Sequence, residues 1–247
     1  MVGFTLVTQY MFLVTFLGMA GAAVYFFLER DSLSEEFRSN ATVAGIYCSM
    51  AAFIYYQMHL SVGLDGNTER LLNFPTEFRY IDWLITTPLM LVKFALLLQI
   101  SDDKRGLVWI MVIADLIMII TGYFGERMLN AGGATFEVWT LFSIGCLAWL
   151  FLLFIIFSSL TEFTRDKVAP VRNAFNKMRL FIAIGWAIYP IGYMVACFSD
   201  EAGPKIAREL IYNFADLINK VGLGLVVVTA AKQITRDAQI RDALRQI

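Results

Sequence analysis

Of the chain's 247 residues, 58% are hydrophobic and 17% charged, and a mean hydropathy of +0.64 is too apolar for a water-soluble domain of this length, so the expected solvent is lipid. A net charge of −1, with no basic run interleaved with aromatics, excludes nucleic acid as a partner. Cys48, Cys146 and Cys197 show no CxxC spacing and His59 is the single histidine, so no metal site is expected and the cysteines read as packing residues.

Crossing hydrocarbon as a helix takes about 20 mostly apolar residues. Seven segments qualify, at roughly 4–28, 41–63, 77–99, 106–124, 137–160, 179–198 and 207–231. The first has no positive leader and outlasts a signal core, so it reads as a retained helix. The second is free of Asp, Glu, Lys and Arg from Ala41 to Leu64 and carries His59 near its end, where an interfacial or satisfied polar role fits. The third carries Arg79, Asp82, Thr86 and Lys93, the fourth Asp115, and the seventh Asp216 and Lys220. The fifth and sixth are uncharged from Val138 to Leu160 and from Leu180 to Ser199. Short connections leave no room for a separate domain, so one all-α membrane domain, a seven-transmembrane-helix bundle, is expected over residues 1–247. With the N-terminus outside and the C-terminus cytoplasmic, thirteen Lys and Arg fall on the inner side against four (Arg70, Arg127, Lys205 and Arg208) on the outer. That asymmetry sets the orientation.

A charge near the bilayer centre costs from about 2.5 to over 10 kcal/mol, so such residues face the bundle interior and find partners. Spacings of 3, 4 and 7 put Arg79, Asp82, Thr86 and Lys93 on one stripe of the third span, with Lys93 about 16 Å cytoplasmic of Asp82. In the seventh, Asp216 lies one turn from Lys220. A plain buried salt bridge is the structural alternative. A desolvated lysine is also a good Schiff-base former, because burial favours the neutral nucleophile.

Three motifs, Arg79-Tyr-Ile-Asp82-Trp-Leu-Ile-Thr86-Thr-Pro88-Leu, Trp186-Ala-Ile-Tyr189-Pro190 and Asp216-Leu-Ile-Asn-Lys220-Val-Gly, resemble those of microbial (type 1) rhodopsins. The wording, with Ile-Gly145-Cys146-Leu-Ala-Trp149 on the fifth span, is most similar to the proteorhodopsin-like branch of bacterial proton pumps. The resemblance implies all-trans retinal as a Schiff base on Lys220. It makes Asp82 the counterion and proton acceptor, Asp216 the second counterion, Arg79 the arginine that screens both and gates release, and Thr86 the hydroxyl on the acceptor. Trp83, Met90, Met118, Gly122, Trp149, Trp186, Tyr189 and Pro190 would line the chromophore slot. Tyr56 and Tyr189 would hydrogen-bond the inner carboxylate, and Asp115 would pair with Thr87 in a helix-bridging contact. The function implied is a light-driven outward proton pump, not an enzyme, in the plasma membrane, with protons and membrane lipid as partners and a homo-oligomeric assembly.

Lys93 departs from the pattern, since most pumps place a carboxylate at that cytoplasmic donor position. The resemblance leaves two roles open: a neutral amine that takes up and passes on a proton, or a side chain that snorkels to the cytoplasm. Tyr55 replaces a histidine common beside the acceptor. Glu209 is a candidate for part of the release role, with a solvated acid as the alternative. Phe142 stands where carotenoid-binding relatives have a glycine, so no antenna pigment is expected, and Met90 at a tuning position implies green absorption. The rival function is a photosensor acting on a separate transducer. Asp82, Thr86 and Lys93 fit neither chloride nor sodium pumps, and the Lys220 motif argues against an unrelated transporter.

Overall fold

A computed structural model describes residues 2–198 and 201–245, the side chain of Asp102 excepted; residues 1, 199, 200, 246 and 247 of the expected domain lie outside the described residues. Seven long helices dominate: α1 (Val2–Arg30), α2 (Glu35–Val62), α3 (Glu77–Leu98), α4 (Gly106–Gly132), α5 (Phe136–Phe157), α6 (Ala169–Cys197) and α7 (Ala202–Leu244). Each packs on the next, and α7 closes the ring on α1 while also touching α2 and α3.

Several helices outrun the apolar spans expected for them. α2 begins six residues early, α6 ten, and α4 and α7 run on to Gly132 and Leu244. Charged residues end an apolar run but not a helix, because Glu, Lys and Arg are good helix formers. What ends α2 and α4 is glycine: Gly63 and Gly133 take φ of 68° and 78°, a left-handed turn that costs glycine little.

By length and composition six of the seven helices are apolar enough to cross a membrane. α2 falls short because Ser, Gln, His and three tyrosines dilute its apolar run, yet its place in the ring beside α1 and α3 carries it across with them. The chain is a multi-pass membrane protein turned inside out relative to a soluble one. Trp109 is 66% exposed and Ile113 56%, whereas Arg79, Asp82, Lys93, Asp115, Glu126, Asp216 and Lys220 are buried. Lipid accepts the first set, and only the interior offers partners to the second.

α6 is irregular where it meets the centre. Residues Phe181–Gly185 form a π turn, with the Trp186 N–H bonded five residues back to Phe181 O at 3.0 Å. Pro190 removes another helical donor. Two side chains reach the displaced carbonyls: Trp149 Nε1 donates to Ile182 O and Asn219 Nδ2 to Gly185 O, both at 3.0 Å. Gly185 is required there, since a Cβ would lie 1.9 Å from Asn219 Oδ1.

Candidate functional site

α3 and α7 bring one amine between two acids. Lys220 Nζ lies 2.5 Å from Asp82 Oδ2 and 3.0 Å from Asp216 Oδ2, with all three side chains buried. The acids are unequal. Asp216 also accepts from Tyr55 Oη at 2.8 Å, Trp83 Nε1 at 2.9 Å and Tyr189 Oη at 2.6 Å. Asp82 accepts from Lys220, and among the described residues its Oδ1 has no hydrogen-bond donor. Each donor stabilises the anion it bonds, so Asp216 is the better satisfied carboxylate of the two.

Two expected contacts are corrected. The Thr86 hydroxyl donates at 2.8 Å to the backbone carbonyl of Asp82, not to its carboxylate; this bond back to the residue four before it satisfies Thr86 within its own helix. Arg79 sits near the acids without touching them: it bonds Glu209 Oε2 at 2.8 Å, Asn213 Oδ1 at 2.8 Å and Tyr55 Oη at 3.1 Å, and Tyr55 links it to Asp216. Side chains on a helix lean toward its N-terminus, which carries Arg79 away from Asp82.

Tyr56 is the second correction. It is 41% exposed and packs on Phe16, while its neighbour Tyr55 is the fully buried tyrosine on Asp216. Successive residues on a helix differ by about 100°, so only one of the two faces inward. Tyr55→Phe is expected to shift the visible absorption band, by removing a hydrogen bond worth about 1.5–3 kcal/mol to a charged group, and Tyr56→Phe to leave it in place. Spectra of the two variants decide, and the reverse pattern would restore Tyr56.

An apolar cavity of about 700 Å³, its mouth included, lies beside this trio. Trp83, Met118, Gly122, Trp149, Trp186, Tyr189 and Pro190 line it, as do Tyr80, Phe142, Cys146, Tyr193 and Tyr212. Met90 is buried but packs in the core away from the wall. Trp83 and Tyr189 both line the cavity and bond Asp216, so the slot meets the amine and its acids at one end. Gly122 keeps the slot narrow but open, since a Cβ there would press on Tyr80 at 3.3 Å. The bridging pair is present, Thr87 Oγ1 donating to Asp115 Oδ2 at 2.7 Å.

Toward the other end of α3, Lys93 is fully buried and its amine has no hydrogen-bond partner. It stands over the rings of Tyr47 and Phe26, at 5.4 and 6.0 Å from their centres. Snorkelling is therefore excluded. Tyr47 Oη in turn donates to the backbone carbonyl of Lys220 at 2.8 Å.

The outer end holds charged groups whose burial sequence reasoning missed. Glu209 is buried, not solvated, and shares its carboxylate between Arg79 at 2.8 Å and Arg208 at 2.9 Å. Arg208, counted among the outer-side charges, is 6% exposed. Glu126, assigned to a loop, is buried against Thr76 and Tyr80. The available signal was its place on the inward stripe Asp115, Ile119, Gly122, Glu126 of α4.

Residues 6–234 match the family described as bacteriorhodopsin-like protein. The chain belongs to that family. It is therefore a microbial rhodopsin, one of a group of retinal proteins. It is 32% identical over 222 residues to the green-light absorbing proteorhodopsin of Gamma-proteobacterium EBAC31A08, covering 89% of this chain and 84% of that one. With the blue-light absorbing proteorhodopsin of Gamma-proteobacterium Hot 75m4 the identity is 34% over 225 residues, 90% and 84% of the two chains. The crystal structure of Exiguobacterium sibiricum rhodopsin superposes with a TM-score of 0.89 at 51% identity, covering 94% of this chain and 98% of that one. An apolar aromatic slot ending at an amine suits the elongated polyene aldehyde of this family, so the residues present fit retinal.

Proposed function

We propose that this microbial rhodopsin is a light-driven outward proton pump with all-trans retinal bound covalently to Lys220, its N-terminus outside and its C-terminus in the cytoplasm. The observation that carries the reading is the buried amine held between two acids of unequal hydrogen bonding. The proteorhodopsin relatives and the resemblance to xanthorhodopsin, described as a light-driven ion pump (TM-score 0.84, 25% identity, 96% of both chains), support it.

Bound there, retinal supplies light absorption and an isomerisation that reorients the N–H at Lys220. The protein supplies direction. Asp82, one donor short of satisfied, takes the proton from the Lys220 nitrogen on the outer side, while Tyr55, Trp83 and Tyr189 hold Asp216 as the lasting counter-charge. Lys93 lies inward of the site, beside the rings of Tyr47 and Phe26. A proton it takes up is passed toward Lys220. Transport is vectorial because acceptor and donor sit on opposite sides of one nitrogen. Lys93→Ala is expected to slow recovery of the resting pigment by on the order of 100-fold, the scale of a lost proton-transfer group. Flash photolysis measures this, and an unchanged late phase removes Lys93 from the pathway.

The 30% identity over 213 residues to sensory rhodopsin-2 of Natronomonas pharaonis favours a second reading, a photosensor acting on a separate transducer. Illuminating unbuffered cells separates the two. Sustained external acidification abolished by a protonophore marks the pump, and no net change marks the sensor.

A further inference from the structure

The ring of Tyr47 joins three helices at one point. Tyr47 is a fully buried residue of α2. Its hydroxyl donates to the main-chain carbonyl of Lys220 on α7 at 2.8 Å, and the centre of its ring lies 5.4 Å from Lys93 Nζ on α3. Phe26 of α1 stands beside the same amine at 6.0 Å. Both rings are seated against the backbone of α7. A Cβ on Gly224 would fall 3.0 Å from Tyr47 Oη and closer still to the Phe26 ring, so only a residue without a side chain leaves room for them.

The hydroxyl adds something that packing alone does not need. A phenyl ring fills space as well, as Phe26 does next to it, and a helical carbonyl already accepts from the N–H four residues on. Tyr47 uses the second lone pair of that oxygen. In a close-packed interior such a link carries displacement from one element to the next, because the neighbours have no void to relax into. The two ends of this link are particular ones. Lys220 is the residue whose amine lies between Asp82 and Asp216, and Lys93 is the buried lysine inward of it.

We infer that Tyr47 is a positioning residue that ties the main chain of Lys220 to the Lys93 amine, so that a displacement of the chromophore-bearing residue shifts the ring on which the inner lysine rests. This rests on the reading of Lys93 as the inner proton donor. Tyr47 gives up no proton of its own. Its O–H stays on the Lys220 carbonyl, and what moves is the ring. Return of a proton to the Lys220 nitrogen is thereby timed by the movement of the residue that needs it.

The test compares retinal-bound wild type, Tyr47→Phe, Lys93→Ala and the double variant by absorption in the dark and by flash photolysis. Tyr47→Phe keeps the ring beside Lys93 and removes only the oxygen. The dark band and the rate at which Lys220 loses its proton are therefore expected to match wild type, a selectivity that general loosening of the core would not give. Recovery is expected to slow about fivefold, the scale of one neutral hydrogen bond. In the Lys93→Ala background the same substitution is expected to add less than about twofold, since a residue acting through Lys93 has nothing left to act on. Recovery of Tyr47→Phe at the wild-type rate, equal slowing in both backgrounds, or a dark pigment lost with the hydroxyl overturns the coupling and leaves Lys93 as donor. Recovery of Lys93→Ala at the wild-type rate overturns the donor reading, and the coupling with it.

Discussion

Lys220→Ala is expected to give a protein that stays colourless when all-trans retinal is added. Lys220 is the amine between Asp82 and Asp216, and among the described residues the other buried lysine, Lys93, lies toward the opposite end of α3 beside the rings of Tyr47 and Phe26. No second nucleophile can take its place. The substitution also strips two buried acids of their shared cation, a loss on the order of 3–5 kcal/mol for a broken buried pair, so helix content is checked alongside colour. A folded variant with the wild-type visible band would remove Lys220 from the site. Bleaching of the wild type by hydroxylamine, with no band to bleach in the variant, gives the same answer without relying on yield.

Asp82→Asn is expected to keep pigment but lose transport, by about 100-fold or more on the scale of a removed proton acceptor. The amide keeps the shape of the carboxyl and still accepts a hydrogen bond at the position 2.5 Å from Lys220 Nζ, but it cannot take the proton. Asp216→Asn should behave differently. Its carboxylate anchors Tyr55, Trp83 and Tyr189 at once, so the amide disturbs three partners and weakens the pigment itself. Light-induced pH changes in vesicles compare the two. Transport surviving in Asp82→Asn but lost in Asp216→Asn with its pigment intact would exchange their roles.

The centre of the site was legible because lipid makes embedded charge expensive. Asp82, Asp216 and Lys220 stood out against apolar surroundings, and helical spacing placed each on an inward face before any contact was known. Directions within a face were harder. Tyr55 and Tyr56 are one residue and about 100° apart, and nothing local says which turns inward; that is set by the packing of α2 against α1 and α3. Thr86 and Arg79 fell on the right stripe, but a hydroxyl that bonds its own helix and an arginine that leans outward are matters of rotamer, which spacing does not encode.

The outer ionic network was hidden for a different reason. Glu126 lies where hydropathy falls, and falling hydropathy was read as loop although α4 continues through it, while Arg208 was counted with the outer charges although α7 buries it. The apolar-run rule finds where lipid ends, not where the helix ends. The π turn of α6 left no local mark either, because it depends on Asn219 of α7 and Trp149 of α5 reaching its carbonyls.

In the proposed pump a proton leaves the nitrogen of Lys220 for Asp82 and not for Asp216. Time-resolved infrared spectroscopy of the illuminated pigment measures this directly. A protonated-carboxyl band should rise in step with loss of the proton from Lys220, persist in a pigmented Asp216→Asn variant, and be absent from Asp82→Asn. A band that survives in Asp82→Asn and disappears in Asp216→Asn would contradict the account.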